Sequence, residues 1–309
     1  MDCILLGSGG MMPMPGRYLA SMAVRLDGRL YLFDAGEGTQ LAWKTCRIGL
    51  RGLSVVAVTH LHADHCLGIP GLMMLKAQLD DPEPLTVMGP PGIREFILEN
   101  HRILDFHLNY PLEFIEWSAD APDWKAYEDE LLRIFWEPLE HTRFCLGYRV
   151  EELERPGRFH PDAADALDIP EGPLRGRLQR GESVTLPSGT VVAAHQVSGP
   201  PRRGRHLAYV VDTRPTPAIQ RLCQGADLAF IEGMFLPEHA EQARAKGHLT
   251  VVEAARAARK AGARRAVLIH ISPRYGEEDL DRLERAAREH FQDAVVGRDL
   301  QVYSVPLPD

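Results

Sequence analysis

The sequence predicts a layered α/β fold with a polar site gathered at strand ends, on three observations. Short apolar runs bounded by glycine or polar residues, Cys3-Ile4-Leu5-Leu6, Leu30-Tyr31-Leu32-Phe33 and Val55-Val56-Ala57-Val58, read as buried strands. Thr250 to Ala261 and Glu277 to His290 carry helical periodicity and are rich in Ala, Arg and Glu, so strands and helices share one chain. Several of the apolar runs end on residue types that bind metals: Val55 to Val58 before His60, Ile134-Phe135-Trp136 before His141, Leu207 to Val211 before Asp212, and Ala266 to Ile269 before His270.

Composition bounds the remaining possibilities. With 309 residues, 45% hydrophobic and 25% charged, the chain has the balance of a globular protein with a sizeable core. No run approaches the ~20 apolar residues of a membrane span, and Met1 to Gly7 lacks the basic start of a signal peptide, so a cytoplasmic protein without membrane contact is expected. Five cysteines, Cys3, Cys46, Cys66, Cys145 and Cys223, form no C-x-x-C pair, which argues against a disulfide framework or a cysteine zinc site. A net charge of −8 repels phosphates at long range, so any nucleic-acid contact must use local basic patches.

Residues 151–201 differ from the rest. They are rich in Pro, Gly and charge with little sustained periodicity, and read as an arm inserted into a single domain spanning 1–309.

The densest chemistry is Thr59-His60-Leu61-His62-Ala63-Asp64-His65, on a loop from Thr59 to Gly68 between a strand and a helix starting near Ile69. Imidazole and carboxylate suit a hydrolytic metal site, and two metals about 3.5–4 Å apart can activate water and clamp a phosphoryl group. One motif supplies too few ligands for two metals, and His141, Asp212 and His270 complete the set.

His-x-His-x-Asp-His followed by His, Asp and His in this order resembles the metallo-β-lactamase superfamily. Phe33-Asp34-Ala35-Gly36-Glu37-Gly38-Thr39-Gln40, Gly68-Ile69-Pro70-Gly71-Leu72, Asp212-Thr213-Arg214-Pro215 and His270-Ile271-Ser272-Pro273-Arg274-Tyr275 narrow the resemblance to ribonuclease Z, the tRNA 3′-processing endonuclease, from Leu5 to about Tyr275. The resemblance implies a four-layer αββα sandwich with an inserted arm. It also implies two zinc ions per subunit, with manganese or iron as alternatives: one held by His60, His62 and His141, the other by Asp64, His65 and His270, and Asp212 bridging. Water activated by the metals would attack the phosphorus in line with the leaving 3′-oxygen, oriented or deprotonated by Asp64. Glu232 and His248 match the family's proton-donating pair.

Asp168-Ile169-Pro170-Glu171-Gly172-Pro173 and Gly181 to Leu186 resemble the family's substrate-grasping arm. Arg175, Arg177 and Arg180, with Arg202, Arg203 and Arg205, are candidate phosphate contacts there. The resemblance further implies a homodimer in which one subunit's arm holds a tRNA precursor for the other's site. The loop Gly9 to Tyr18, rich in Met and Pro where the family is polar and basic, and Pro273, where the family often has Ser, are departures that bear on substrate choice; packing is the commoner use of such methionines as Met11, Met12 and Met14. Two readings stand beside the tRNA nuclease: a related metal-dependent hydrolase of another phosphodiester or ester, and a non-catalytic RNA-binding protein that keeps zinc for folding.

Overall fold

A computed structural model of the chain describes residues 1–118 and 125–308. Two compact units result, Met1–Glu151 with His206–Pro306, and Glu152–Arg205 with the C-terminal tail.

The larger unit is built on two seven-stranded sheets. In the first the strand order is Gln301–Ser304, Asp2–Gly7, Ser21–Leu26, Arg29–Phe33, Leu53–Ala57, Leu85–Gly89, Leu112–Glu116; in the second it is Ala294–Val296, Ala266–Ile269, Leu228–Glu232, His206–Val210, Cys145–Glu152, Leu132–Leu139, Lys125–Glu128. Each sheet has a parallel run, from Arg29–Phe33 to Leu112–Glu116 and from His206–Val210 to Ala294–Val296. Parallel strands need crossover connections, supplied here largely by helices.

Side chains alternate across each strand, and that period of two sets the layers. Leu5, Val24, Phe33 and Val55 share one buried cluster with Trp136, Tyr209, Phe230 and Val267, so the two sheets face each other across it. Their neighbours Ile4, Ala23, Leu32 and Val56 point the other way, into a cluster with Trp43, Ile69, Leu72, Ile93 and Ile97 from the helices Thr39–Thr45, Ile69–Lys76 and Ile93–Leu104. On the far face of the second sheet, Ala208, Ala229, Ile231 and Leu268 pack on Ile219, Ala243, Ala254, Ala258, Leu280 and Leu283 from the helices Pro217–Leu222, Ala240–Lys246, Val251–Lys260 and Glu277–Arg288. The architecture is helix, sheet, sheet, helix: the four-layer αββα sandwich that the resemblance implies. Among the described residues no helix is long and apolar enough to cross a membrane.

The smaller unit has more structure than its composition suggests. Helices Pro161–Ala166 and Pro173–Gln179 and the paired strands Val184–Thr185 and Val191–Val192 enclose Ala164, Ile169, Leu178, Val184, Val192 and Val197. Elements of two to seven residues are too short for periodicity to reveal.

Two of the six candidate RNA-binding arginines are engaged with partners inside this unit. Arg205 is buried, its Nε 2.6 Å and Nη2 2.5 Å from the two carboxylate oxygens of Glu152. Arg175 donates to the Ile169 carbonyl at 2.9 Å and pairs with Asp165. Arg177 and Arg180 share Glu182 at 2.8 and 3.1 Å on the surface, while Arg202 and Arg203 donate to the carbonyls of Pro156 and Gly204.

Candidate metal centre

The ligand-type residues converge because their strands end side by side. Leu53–Ala57 runs through Val58 and Thr59 into His60; Ala266–Ile269 runs into His270, and His206–Val210 through Val211 into Asp212. Instead of one open loop from Thr59 to Gly68, a single helical turn, Ala63–Cys66, follows His62 and turns Asp64 and His65 inward.

That turn is pressed against the segment after Phe33. Ala35 N donates to the His65 carbonyl and Gly68 N to the Ala35 carbonyl, both at 2.8 Å. A Cβ on Gly36 would lie 2.2 Å from the Asp64 carbonyl oxygen, and one on Gly68 would lie 2.1 Å from the Gly36 carbonyl oxygen. Gly36→Ala is therefore expected to cost at least about 1–3 kcal/mol and to displace Asp64; thermal unfolding and metal content of the variant check this.

Asp34, Asp212 and His270, each just past a strand, have φ of 55°, 56° and 58°. Such left-handed backbone is costly for non-glycine residues, about 1–3 kcal/mol each, and such strain clusters at functional sites.

Two sets of donor atoms result. His60 Nε2 lies 2.8 Å from His62 Nδ1, His141 Nε2 lies 3.4 Å from His62 Nδ1, and Asp212 Oδ2 stands 3.6 and 3.5 Å from the first and last of these histidines. In the second set His65 Nε2 and His270 Nε2 lie 3.6 and 3.4 Å from Asp64 Oδ2, and 3.4 and 3.2 Å from Asp212 Oδ1. Ligands about 2.0–2.1 Å from one ion in a tetrahedral shell stand about 3.3 Å apart, within the 2.8–3.6 Å range of these separations. His65 Nε2 and Asp212 Oδ1 are buried and have no hydrogen-bond partner among the described residues, which is costly unless a cation satisfies them. These residues fit a divalent metal.

Electrostatics agree. Burial drives the imidazoles of His60, His62 and His141 down, so they are neutral, as ligands must be. Burial pushes the Asp212 carboxyl up, but His270, His65 and His60 outweigh it and hold it well below the carboxylate range. Burial pushes His65 and His270 down as well, yet Asp212 with Asp34 lifts the first well above its usual value, and Asp212 with Asp64 and Glu232 lifts the second to about 10. Protons take the cation's place when no metal is bound. A histidine pKa raised in the folded state contributes stability fully below about 6.5, lost as pH rises toward 10. Metal-free protein is therefore expected to lose stability between about pH 7 and 10, and metal-loaded protein to lose much less; melting curves across that range check this.

Asp34, quoted above within a motif but given no role, holds the ligand-type residue His65 in place. Fully buried, it accepts from His65 Nδ1 at 2.8 Å, Thr59 N at 2.7 Å, Thr59 Oγ1 at 2.9 Å and Tyr209 Oη at 3.3 Å, fixing the His65 ring so that Nε2 faces the site. Its place directly after a strand, like Asp212, was the available signal.

Glu232 ends the Leu228–Glu232 strand with no exposure; Oε1 accepts from Thr213 N at 2.5 Å and Oε2 from His248 Nδ1 at 2.9 Å. Burial raises the Glu232 carboxyl, but His248 outweighs it and keeps it lowered, hence ionised. His248 is placed by the next helix, whose cap Thr250 exchanges hydrogen bonds with Glu253 at 2.9 and 3.2 Å. With Nδ1 committed to Glu232, Nε2 remains on a ring that lines the cavity.

That cavity, about 450 Å³, is bordered by Met11, His62, Asp64, His141, Lys246, His248 and His270. Met11, Met12 and Met14 are 46, 52 and 37% exposed, so they are not core packing. Met11 N donates to Asp64 Oδ2 at 2.6 Å, tying this loop to the site.

Family models agree with this geometry: the metallo-beta-lactamase superfamily matches residues 15–142 and the beta-lactamase superfamily domain residues 137–271. Fold and site together define a metal-dependent hydrolase of the metallo-β-lactamase superfamily. Ribonuclease Z of Treponema denticola is 39% identical over 97% of this chain and 96% of its own, and that of Salinibacter ruber is 39% identical over 99% and 94%. The chain belongs to the ribonuclease Z family. Among solved structures, the short form of human tRNase Z has a TM-score of 0.70 at 23% identity over 99% of this chain and 100% of its own, and the metallo-beta-lactamase fold protein YhfI of Bacillus subtilis 0.68 at 17% over 98% and 99%; both show the shared fold.

Proposed function

We propose that the protein is an endoribonuclease that removes the 3′ trailer from tRNA precursors in the cytoplasm, with two zinc ions per subunit. His60, His62 and His141 would hold one ion, Asp64, His65 and His270 the other, and Asp212 both; manganese or iron suits the same ligands. The observation that carries this reading is the convergence of His60, His62, His141 and Asp212 in one group and of Asp64, His65 and His270 in another, with Asp212 Oδ1 3.4 and 3.2 Å from His65 and His270 of the second. Bound there, the metals supply water of lowered pKa and positive charge against the scissile phosphate.

The chain's own groups supply the rest. Asp64, fixed by Met11 N, orients the attacking water and accepts its proton. His248 donates a proton from Nε2 to the departing 3′-oxygen, and Glu232 holds the ring through Nδ1. Residues 151–201 act as the arm that grips the tRNA, in a homodimer where each arm serves the partner's site. Arg177, Arg180, Arg202 and Arg203 are the phosphate contacts of this reading, since Arg175 and Arg205 hold the arm's own structure.

Incubation of metal-loaded protein with a 3′-extended tRNA precursor and, separately, with bis(p-nitrophenyl) phosphate tests this. Release of the trailer, abolished by a chelator, is expected. Turnover of the small diester with an intact precursor would replace the proposal with a hydrolase of another phosphodiester.

A further inference from the structure

Beside the metal centre lies a second cavity of about 290 Å³, lined by Leu61, Pro90, Pro91, Ser118, Arg143 and Phe144. It adjoins the first through consecutive residues: Leu61 precedes the ligand-type His62, and Arg143 follows His141 and Thr142, which border the main cavity. Phe144 is half-buried and packs against the cluster between the sheets, which fixes its ring. Arg143 is exposed, and among the described residues its guanidinium has no hydrogen bond or ion pair. Elsewhere on the chain arginines are engaged, as Arg102 with Glu99, Arg149 with Glu151 and Arg221 with Glu137. On a chain of net charge −8, an uncommitted cation next to a phosphodiester site is a place for a second phosphate.

The combination of one aromatic ring, a wall of two prolines and one free guanidinium suits a single unstacked nucleoside with its phosphate, since single-stranded RNA is gripped by stacking on aromatic rings and by cations along the backbone. The volume is at the small end of ligand pockets and suits a single nucleoside. His248 does not line this pocket. The 3′-oxygen leaving toward His248 belongs to the last nucleotide of the mature tRNA, so the nucleotide on the other side of the scissile phosphorus is the first of the trailer.

Resting on the trailer-removing reading above, we infer that this side pocket holds the first trailer nucleoside, its base against Phe144 and Pro90-Pro91, with Arg143 on the following phosphate. The test compares kcat/KM of the metal-loaded protein, Phe144→Leu and Arg143→Gln on three substrates: a tRNA precursor, the same precursor abasic at the first trailer position, and bis(p-nitrophenyl) phosphate. Phe144→Leu is expected to lower kcat/KM on the ordinary precursor, relative to the small diester, by roughly fivefold or more, and to have little such effect on the abasic one. Arg143→Gln is expected to reduce the slope of log KM against log salt by about 0.7, the loss of one single-strand phosphate contact. An equal effect of Phe144→Leu on both precursors, or an unchanged salt slope, overturns the pocket while leaving the nuclease reading intact. Unaltered protein that cuts no precursor overturns both.

Discussion

His248→Ala is expected to lower kcat on a tRNA precursor by about 10²–10⁴, the contribution of a positioned general acid. The loss should be far smaller on bis(p-nitrophenyl) phosphate, because 4-nitrophenolate departs without a proton. That contrast separates proton donation from damage to the metal centre, which would slow both substrates alike. The variant also strips Glu232 of its 2.9 Å partner in a fully buried setting, so stability should fall by about 1–3 kcal/mol. Rates are to be compared well below the lowered melting point. An unchanged precursor rate would remove His248 from the mechanism.

Asp212→Asn is expected to affect metal content as well as rate, and on both substrates. Among the described residues Asp212 alone faces both donor sets, Oδ2 toward His60 and His141 and Oδ1 toward His65 and His270. An amide keeps the shape but loses the anion and turns one ligand atom into an NH₂ that cannot bind metal. Bound metal per chain should fall by at least half. The rate should drop on the order of 10³-fold, the worth of several kcal/mol of Lewis-acid stabilisation, on both the precursor and the small diester. Metal analysis of the dialysed variant reads the first outcome and the two assays the second; full metal content at normal rate would deny Asp212 the shared position.

Much of this site was legible in the sequence because its residues stand at chemically marked places. Apolar strands stop abruptly at Asp212 and His270, His141 follows another a few residues on, and His-x-His-x-Asp-His is too dense in ligand types to overlook. The layered α/β class was legible in the same strands, while the four-layer sandwich came with the family resemblance. What stayed hidden was contextual. The role of Asp34 depends on the approach of His65, Thr59 and Tyr209, residues 25 to 175 positions away. The left-handed backbone at Asp34, Asp212 and His270 is imposed by the turns after the strands and leaves no pattern in sequence. The core of the smaller unit comes from helices of six and seven residues and strands of two, below the length at which periodicity speaks. Arg205 and Arg175 looked like free cations because their partners, Glu152 and Asp165, lie 53 and 10 residues away.

The chemistry of the cut ends offers the sharpest check. A precursor with a labelled 3′ extension, incubated with metal-loaded protein, should yield tRNA ending in a 3′-hydroxyl after the discriminator base and a trailer carrying a 5′-phosphate, because water attacks phosphorus and the 3′-oxygen leaves. A 2′,3′-cyclic phosphate on the tRNA, or cutting that persists unchanged in chelator, would contradict hydrolysis at this metal centre.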